Sequence, residues 1–250
     1  SLFVGGDAFA AMGELELEER SSFGVDRLIA ASPFDYPNHM RVAALRSRPD
    51  APDPVTETAE VIATLARLLG GRTLGLFTSL RRMNDVADLL GEALDQDSIE
   101  VLAPRRAVDD PGSLVARFRA LPEGGVLLGS RTFWQGVDIP GDDLQAVVIE
   151  KLPFEVPTEL RRRREARVAE MGGNAFRRYR LGKMLLNLKQ MTGRLIRGED
   201  DRGIVVIVEA RTDRNYFGEL ESAFPAGAEV RVVEREELPG LVAELGLGRA

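Results

Sequence analysis

The chain has 250 residues, 44% of them hydrophobic and 29% charged, which suits one large α/β domain or two small ones in a soluble globular protein. It has no cysteine and a single histidine, His39, so disulfides, cysteine-held metals and iron–sulfur clusters are excluded within it, and a histidine metal site or catalytic triad is disfavoured. The net charge of −7 argues against a nonspecific polyanion binder; without an apolar run of membrane-spanning length or a signal-peptide pattern, no membrane partner and a cytoplasmic location are expected.

In chain order, residues 1–25 mix glycine with acidic residues and read as an irregular or partly helical lead-in. Asp26 to Ala31 is a short candidate strand, stopped by Ser32-Pro33-Phe34-Asp35-Tyr36-Pro37. After a proline-rich loop at 49–54, Val55, Ala59, Ile62, Leu65, Ala66 and Leu69 trace an amphipathic helix ended by Gly70-Gly71. The pattern then alternates. Strands are expected at Thr73–Phe77, Ile99–Leu102, Val126–Leu128, Ala146–Ile149, Ile204–Val208 and Val230–Val233. Helices are expected at Leu80–Leu94, 112–120, 158–197 with a break near Gly172-Gly173, 213–223 and 236–245. Apolar strands alternating with helices imply a parallel sheet covered on both faces.

Charge is unevenly spread. Residues 161–183 carry nine basic residues against Glu165 and Glu170, a local +7 that leaves −14 on the remainder. Such an island suits an anionic partner, or it is a solvated face paired with acidic neighbours. Next comes Gln190-Met191-Thr192-Gly193-Arg194-Leu195-Ile196-Arg197, read as the start of a helix. Met184, Leu188, Met191 and Leu195 would face the core, while Gln190, Arg194 and Arg197 share another face. Guanidinium suits phosphate oxygens better than ammonium does, although exposed arginine pairs are common on any helix.

Ligands of such sheets sit at the carboxyl ends of strands. Thr78-Ser79 there is either a phosphate contact or a simple helix N-cap. The loop Gly129 to Gly141 holds Ser130, Arg131 and Thr132 for a sugar–phosphate backbone, Gly136 for close approach, and Asp138 for a ribose hydroxyl. Its Trp134 reads as a packing residue or a base-stacking platform. Missing are a Gly-x-x-x-x-Gly-Lys-Ser/Thr phosphate loop and a post-strand Asp-Glu pair for Mg²⁺.

Three stretches now stand in order: Leu76-Phe77-Thr78-Ser79; Gly129 to Gly141 with Lys151-Leu152-Pro153-Phe154; and Gln190 to Arg197. Together they resemble motifs IV, V and VI of the second motor domain of DinG/XPD-type superfamily 2 DNA helicases, supported by Ser32-Pro33-Phe34-Asp35-Tyr36. The resemblance implies one RecA-like (P-loop NTPase-type) α/β domain over 1–250, with 1–25 leading in from a preceding motor domain and 154–187 a basic helical segment. It implies part of an ATP-dependent DNA helicase of 5′-to-3′ direction, linked to DNA repair. ATP with Mg²⁺ would be held mainly by an N-terminal motor domain, in cis or in a split protein. An iron–sulfur cluster would belong only to that half.

By the same resemblance Arg194 and Arg197 reach the γ-phosphate beside Gln190, and Gly136 and Asp138 lie on the nucleotide side. Thr78, Ser79, Ser130 and Arg131 become contacts to single-stranded DNA. The opening Ser1 to Gly6 looks like sequence after motif III, so the chain is expected to be a helicase C-terminal half that is inactive alone. Two departures stand out. Glu209 stands in Val-Glu-Ala-Arg where the family has Leu-Asp-x-Arg, and Gly182 stands where proline is common. The rival readings are a non-catalytic nucleic-acid- or partner-binding α/β domain, and a small-molecule enzyme using the Asp138 loop.

Overall fold

The structure, a computed structural model, describes residues 32–50, 52–104, 110–122, 124–130, 133, 139, 143–156, 158–170, 172 and 174–248. A one-turn helix α1 (Tyr36–His39) leads into β1 (Met40–Leu45), followed by α2 (Pro54–Leu69), β2 (Thr73–Leu76), α3 (Leu80–Leu94) and β3 (Glu100–Leu102). Then come α4 (Pro111–Arg119), β4 (Gly125–Gly129), β5 (Ala146–Lys151) and α5 (Glu159–Glu170). A π-helical turn (Phe176–Leu181) precedes α6 (Gly182–Thr192), β6 (Gly203–Glu209), β7 (Val230–Val233) and α7 (Leu238–Glu244).

The strands form one seven-stranded sheet in the order β3-β4-β2-β5-β6-β1-β7. Every pairing is parallel, with Met40 beside Gly203, Thr73 beside both Val126 and Ala146, and Val42 beside Val230. Alternation within the strands feeds two cores. Val147, Ile149, Val205 and Ile207 face a core completed by Phe118 of α4 and by Met184, Leu188 and Met191 of α6. Ala146, Val148, Ile204 and Val206 face the other, filled by Ile62 and Leu65 of α2, Met83 and Leu90 of α3, and Leu241 of α7. Among the described residues no helix is long and apolar enough to cross a membrane.

Local chemistry accounts for the strongest elements. Asp53 caps α2 by accepting the N–H groups of Val55 (2.9 Å) and Thr56 (3.3 Å), Pro54 opens the helix, and Gly70 closes it at φ 63°. Ser79 caps α3 by accepting the Arg82 N–H at 3.4 Å.

The structure departs from the sequence pattern at several places. The candidate strand 26–31 and the lead-in 1–25 lie outside the described residues. β1, to which the pattern assigns nothing, carries Arg41 and two alanines, and neighbours β6 and β7 make it a strand. Residues 213–216 are turn, and only Phe217–Ala223 is helical, as a 3₁₀ segment. The expected helix through 197 ends at Thr192, so 190–197 closes a helix instead of starting one. The helix stops at Gly193, after which the Leu195 N–H turns back to the Thr192 carbonyl at 3.2 Å, and further on the Asp201 carboxylate accepts the N–H groups of Arg197 and Gly198, both at 2.7 Å, and holds the chain in a turn. At Gly182 the π-helical turn runs directly into α6 without a break.

Candidate functional site

The end of α6 shapes the first site. Thr192 Oγ1 donates back to the Leu188 carbonyl at 3.1 Å, and the Gly193 N–H donates to the Lys189 carbonyl at 3.0 Å. Leu195 and Ile196 are then buried in the core, which pins the backbone between Arg194 and Arg197. Leu195 packs directly on Gly203, where a Cβ would lie 2.5 Å from its Cδ1. Gln190, Arg194 and Arg197 therefore do not share a helical face. Turn geometry nevertheless gathers them, with Lys189, around a cavity of about 470 Å³ that Tyr36 and Met40 also line. Arg194 is half-buried, while Arg197 and Gln190 are exposed. Burial pushes the Lys189 ammonium below its ordinary range.

No described residue lining this cavity carries a carboxylate. It is a concentration of donors and positive charge suited to an anion with several oxygens, such as a polyphosphate. The lining does not fit Mg²⁺, a hard cation that takes oxygen ligands, and no described cluster of three or more Asp, Glu, His or Cys side chains exists elsewhere. Met40 opens β1 and Gly203 opens β6, so this cavity lies at the amino-terminal edge of the sheet.

The strand-end hydroxyls occupy the opposite edge. Leu76 and Gly129 are register partners, so the segments that follow them, Thr78-Ser79 and Ser130, emerge side by side. A strand of this sheet spans roughly 13–20 Å at about 3.3 Å per residue, which sets the scale of the separation from the arginines. Thr78 Oγ1 donates to Glu150 Oε2 at 3.4 Å, and Ser79 Oγ serves the α3 cap. Both hydroxyls thus have intramolecular work. Ser130 is half-exposed and its carbonyl accepts the Phe133 N–H at 2.9 Å. Phe133 fills the space above Gly129, where a Cβ would meet its ring atom Cγ at 2.4 Å. Arg131, Gly136, Asp138 and Trp134 lie outside the described residues.

Sequence reasoning missed the group that organises this edge. Glu150, at the end of β5, is 1% exposed and pairs with Arg82 of α3. Arg82 also reaches Glu209 at the end of β6, at 3.2 Å. Burial alone would lower the Arg82 pKa; the hydrogen bond and charge of Glu150, then those of Glu209, outweigh it and raise the pKa. The doubtful Glu209 thereby acquires a partner. The available signal was a carboxylate ending a fully apolar strand, since such a group is rarely buried unless paired.

A second tie joins the Lys151-Leu152-Pro153-Phe154 segment to the arginine helix. Buried Asn187 of α6 donates from Nδ2 to the Pro153 carbonyl and to Glu155, both at 3.3 Å. Phe154 stacks on Phe176 at 6.0 Å and meets Tyr216 edge-on at 5.7 Å.

A model of the helicase C-terminal domain family matches residues 62–227. The chain is 37% identical over 175 residues to the ATP-dependent helicase DinG of Mycobacterium tuberculosis H37Rv, covering 69% of this chain and 25% of that protein. It is 30% identical over 239 residues to the ATP-dependent DNA helicase YoaA of Escherichia coli K12, covering 94% and 36%. It is 32% identical over 195 residues to the 3′-5′ exonuclease DinG of Bacillus subtilis 168, covering 76% and 21%. The chain thus spans 21–36% of the length of these relatives. Among solved structures, an XPD helicase superposes with TM-score 0.55 at 18% identity, over 78% of this chain and 35% of that one. The C-terminal domain of the DEAD-box protein Dbp5 gives 0.52 at 15%, over 83% and 98%. These two likenesses concern the fold, which is RecA-like.

Proposed function

The chain belongs to the helicase C-terminal domain family, and from that premise we propose that it is the second motor domain of an ATP-dependent DNA helicase. ATP would be bound mainly on a separate N-terminal motor domain, and Arg194 and Arg197 would reach across to its phosphates with Gln190 beside them. The observation that carries this reading is the cavity at the end of α6, which gathers two guanidiniums, an ammonium and an amide around space free of described carboxylates. Mg²⁺ would find its ligands on the other domain. Alone, this chain would not turn over ATP. The 5′-to-3′ direction and the link to DNA repair rest on the resemblance of the motifs.

The proposed mechanism is differential binding. Charge grows on the transferring phosphoryl group, so a fixed guanidinium stabilises the transition state more than the bound nucleotide. Arginine fingers of this kind contribute roughly 10³–10⁵ in rate. Single-stranded DNA would run along the opposite edge, past Thr78, Ser79 and Ser130, with Arg131 a further contact on the resemblance of the motif alone. The rigid sheet between the two edges would carry domain closure from one to the other.

Arg194→Ala in the two-domain protein tests the reading. ATP hydrolysis and unwinding should largely disappear, with nucleotide affinity and melting temperature nearly unchanged. Arg194→Lys should also fail, because a point charge on a flexible stem does not reproduce the planar fork. Near-wild-type kcat, or an unfolded variant, would make Arg194 structural.

A further inference from the structure

α5, twelve residues long, buries none of its described side chains, whereas α2 and α3 each bury a full apolar face. Glu165 and Val168 are half-buried and mark its inner side, Arg164 is half-buried at the border, and Leu160, Arg162, Arg163 and Arg167 are exposed. Leu160, Arg163 and Arg167 stand at i, i+3 and i+7, so they form one outward stripe with Arg164 on its flank. The Arg163 side chain is 77% exposed and has Glu159 at 3.2 Å. A surface helix normally buries an apolar face, and one that is polar all round calls for a partner or for support from its own ion pairs.

A second observation falls on the same place. Few large hydrophobic side chains are exposed among the described residues, and two of them are Val156 at 85% and Leu160 at 61%. Aliphatic groups next to a row of guanidiniums suit a partner that is charged on its outside and apolar between its charges. The chemistry that matches is a polynucleotide: phosphates for the arginines, base and sugar faces for the aliphatic groups. The rest of the chain is strongly acidic, so the positive charge of 161–183 is local and would orient such a ligand onto this helix.

We infer that the Leu160–Arg163–Arg164–Arg167 stripe of α5 is a nucleic-acid backbone contact, separate from the strand-end hydroxyls. The inference rests on the reading of the chain as a helicase domain. It is tested by binding, so its failure is distinct from failure of the arginine assignment, which is read by ATP turnover.

The experiment is fluorescence anisotropy of labelled single-stranded DNA with this chain, over a series of salt concentrations. Arg163→Ala/Arg164→Ala/Arg167→Ala is compared with Arg67→Ala/Arg119→Ala/Arg214→Ala, three arginines elsewhere that pair with acidic neighbours. Both triples change net charge equally, and circular dichroism melts confirm folding. Each lost phosphate contact should reduce the slope of log affinity against log salt by about 0.7, so the stripe variant should be shallower by about 2 and the control nearly unchanged. Equal losses in the two triples, an unchanged slope, or a wild-type chain that does not bind DNA would overturn the inference. So would competition by polyglutamate as effective as by DNA of equal charge, which would assign the stripe to an acidic protein.

Discussion

Removing Arg82 should destabilise the domain more than neutralising its buried partner. Glu150 is 1% exposed, and besides Arg82 the only described group donating to it is the Thr78 hydroxyl at 3.4 Å. Arg82→Ala leaves that carboxylate buried and charged. Breaking a buried ion pair from one side costs about 3–5 kcal/mol, and the 31% exposure of the Arg82 side chain admits water, so about 3 kcal/mol is expected. Glu150→Gln keeps the shape and the Thr78 contact, and leaves Arg82 with Glu209 at 3.2 Å. Its cost should be about 1–1.5 kcal/mol, near the upper net worth of one ordinary hydrogen bond, because the Arg82 charge keeps Glu209. The double variant should fall near 2 kcal/mol, well below the sum, which gives a coupling of roughly 2 kcal/mol. Urea unfolding at pH 7 measures all three, with the m-value expected to stay constant. The reasoning is refuted if Arg82→Ala lies within about 1 kcal/mol of wild type, or if the single effects simply add.

Two further outcomes follow from local geometry. Gly203→Ala places a Cβ 2.5 Å from Leu195 Cδ1 and 2.8 Å from the Gln145 carbonyl oxygen, which is backbone and cannot swing away. About 1–3 kcal/mol of stability should be lost by urea titration, with kcat of the two-domain protein falling as the Arg194 turn shifts; a cost under about 0.5 kcal/mol would contradict this packing. Asp53 is held below its ordinary pKa of 3.8, first by the Thr56 hydroxyl and then by the Thr56 N–H. A depressed carboxylate contributes stability above its unfolded pKa and loses it as pH falls through the folded one. Asp53→Asn, which preserves the cap, should therefore be slightly less stable than wild type at pH 7, with the gap closing below pH 3.8; a gap constant across a pH series of thermal melts would refute this.

Features that depend on neighbours along the chain were readable from residue order. Val55, Ile62, Leu65, Ala66 and Leu69 recur at helical spacing before a Gly-Gly stop, so the body and end of α2 were legible, while its Asp53 cap and Pro54 start read as part of the preceding loop. The apolar runs at 126–128, 146–149 and 204–208 marked buried parallel strands, because covered faces leave no polar alternation. The Gln190 to Arg197 stretch stood out by its guanidiniums beside core residues, but the shared helix face expected of it did not form, and the cavity it lines was not legible.

Other features arise from pairing between distant segments. Met40–Leu45 has little strand character of its own and becomes β1 through backbone pairing with β6 and β7, residues more than a hundred positions away. The chain beyond Thr192 is held in a turn as Asp201 captures the N–H groups of Arg197 and Gly198, which spacing alone does not reveal. Arg82, Glu150 and Glu209 come from α3, β5 and β6, and only the strand order sets them together. That order also puts the arginines and the strand-end hydroxyls at opposite edges. Periodicity is a local property that each segment carries with it; which edge a loop occupies, and which distant charge it meets, is fixed only when the parallel sheet closes over long sequence separations.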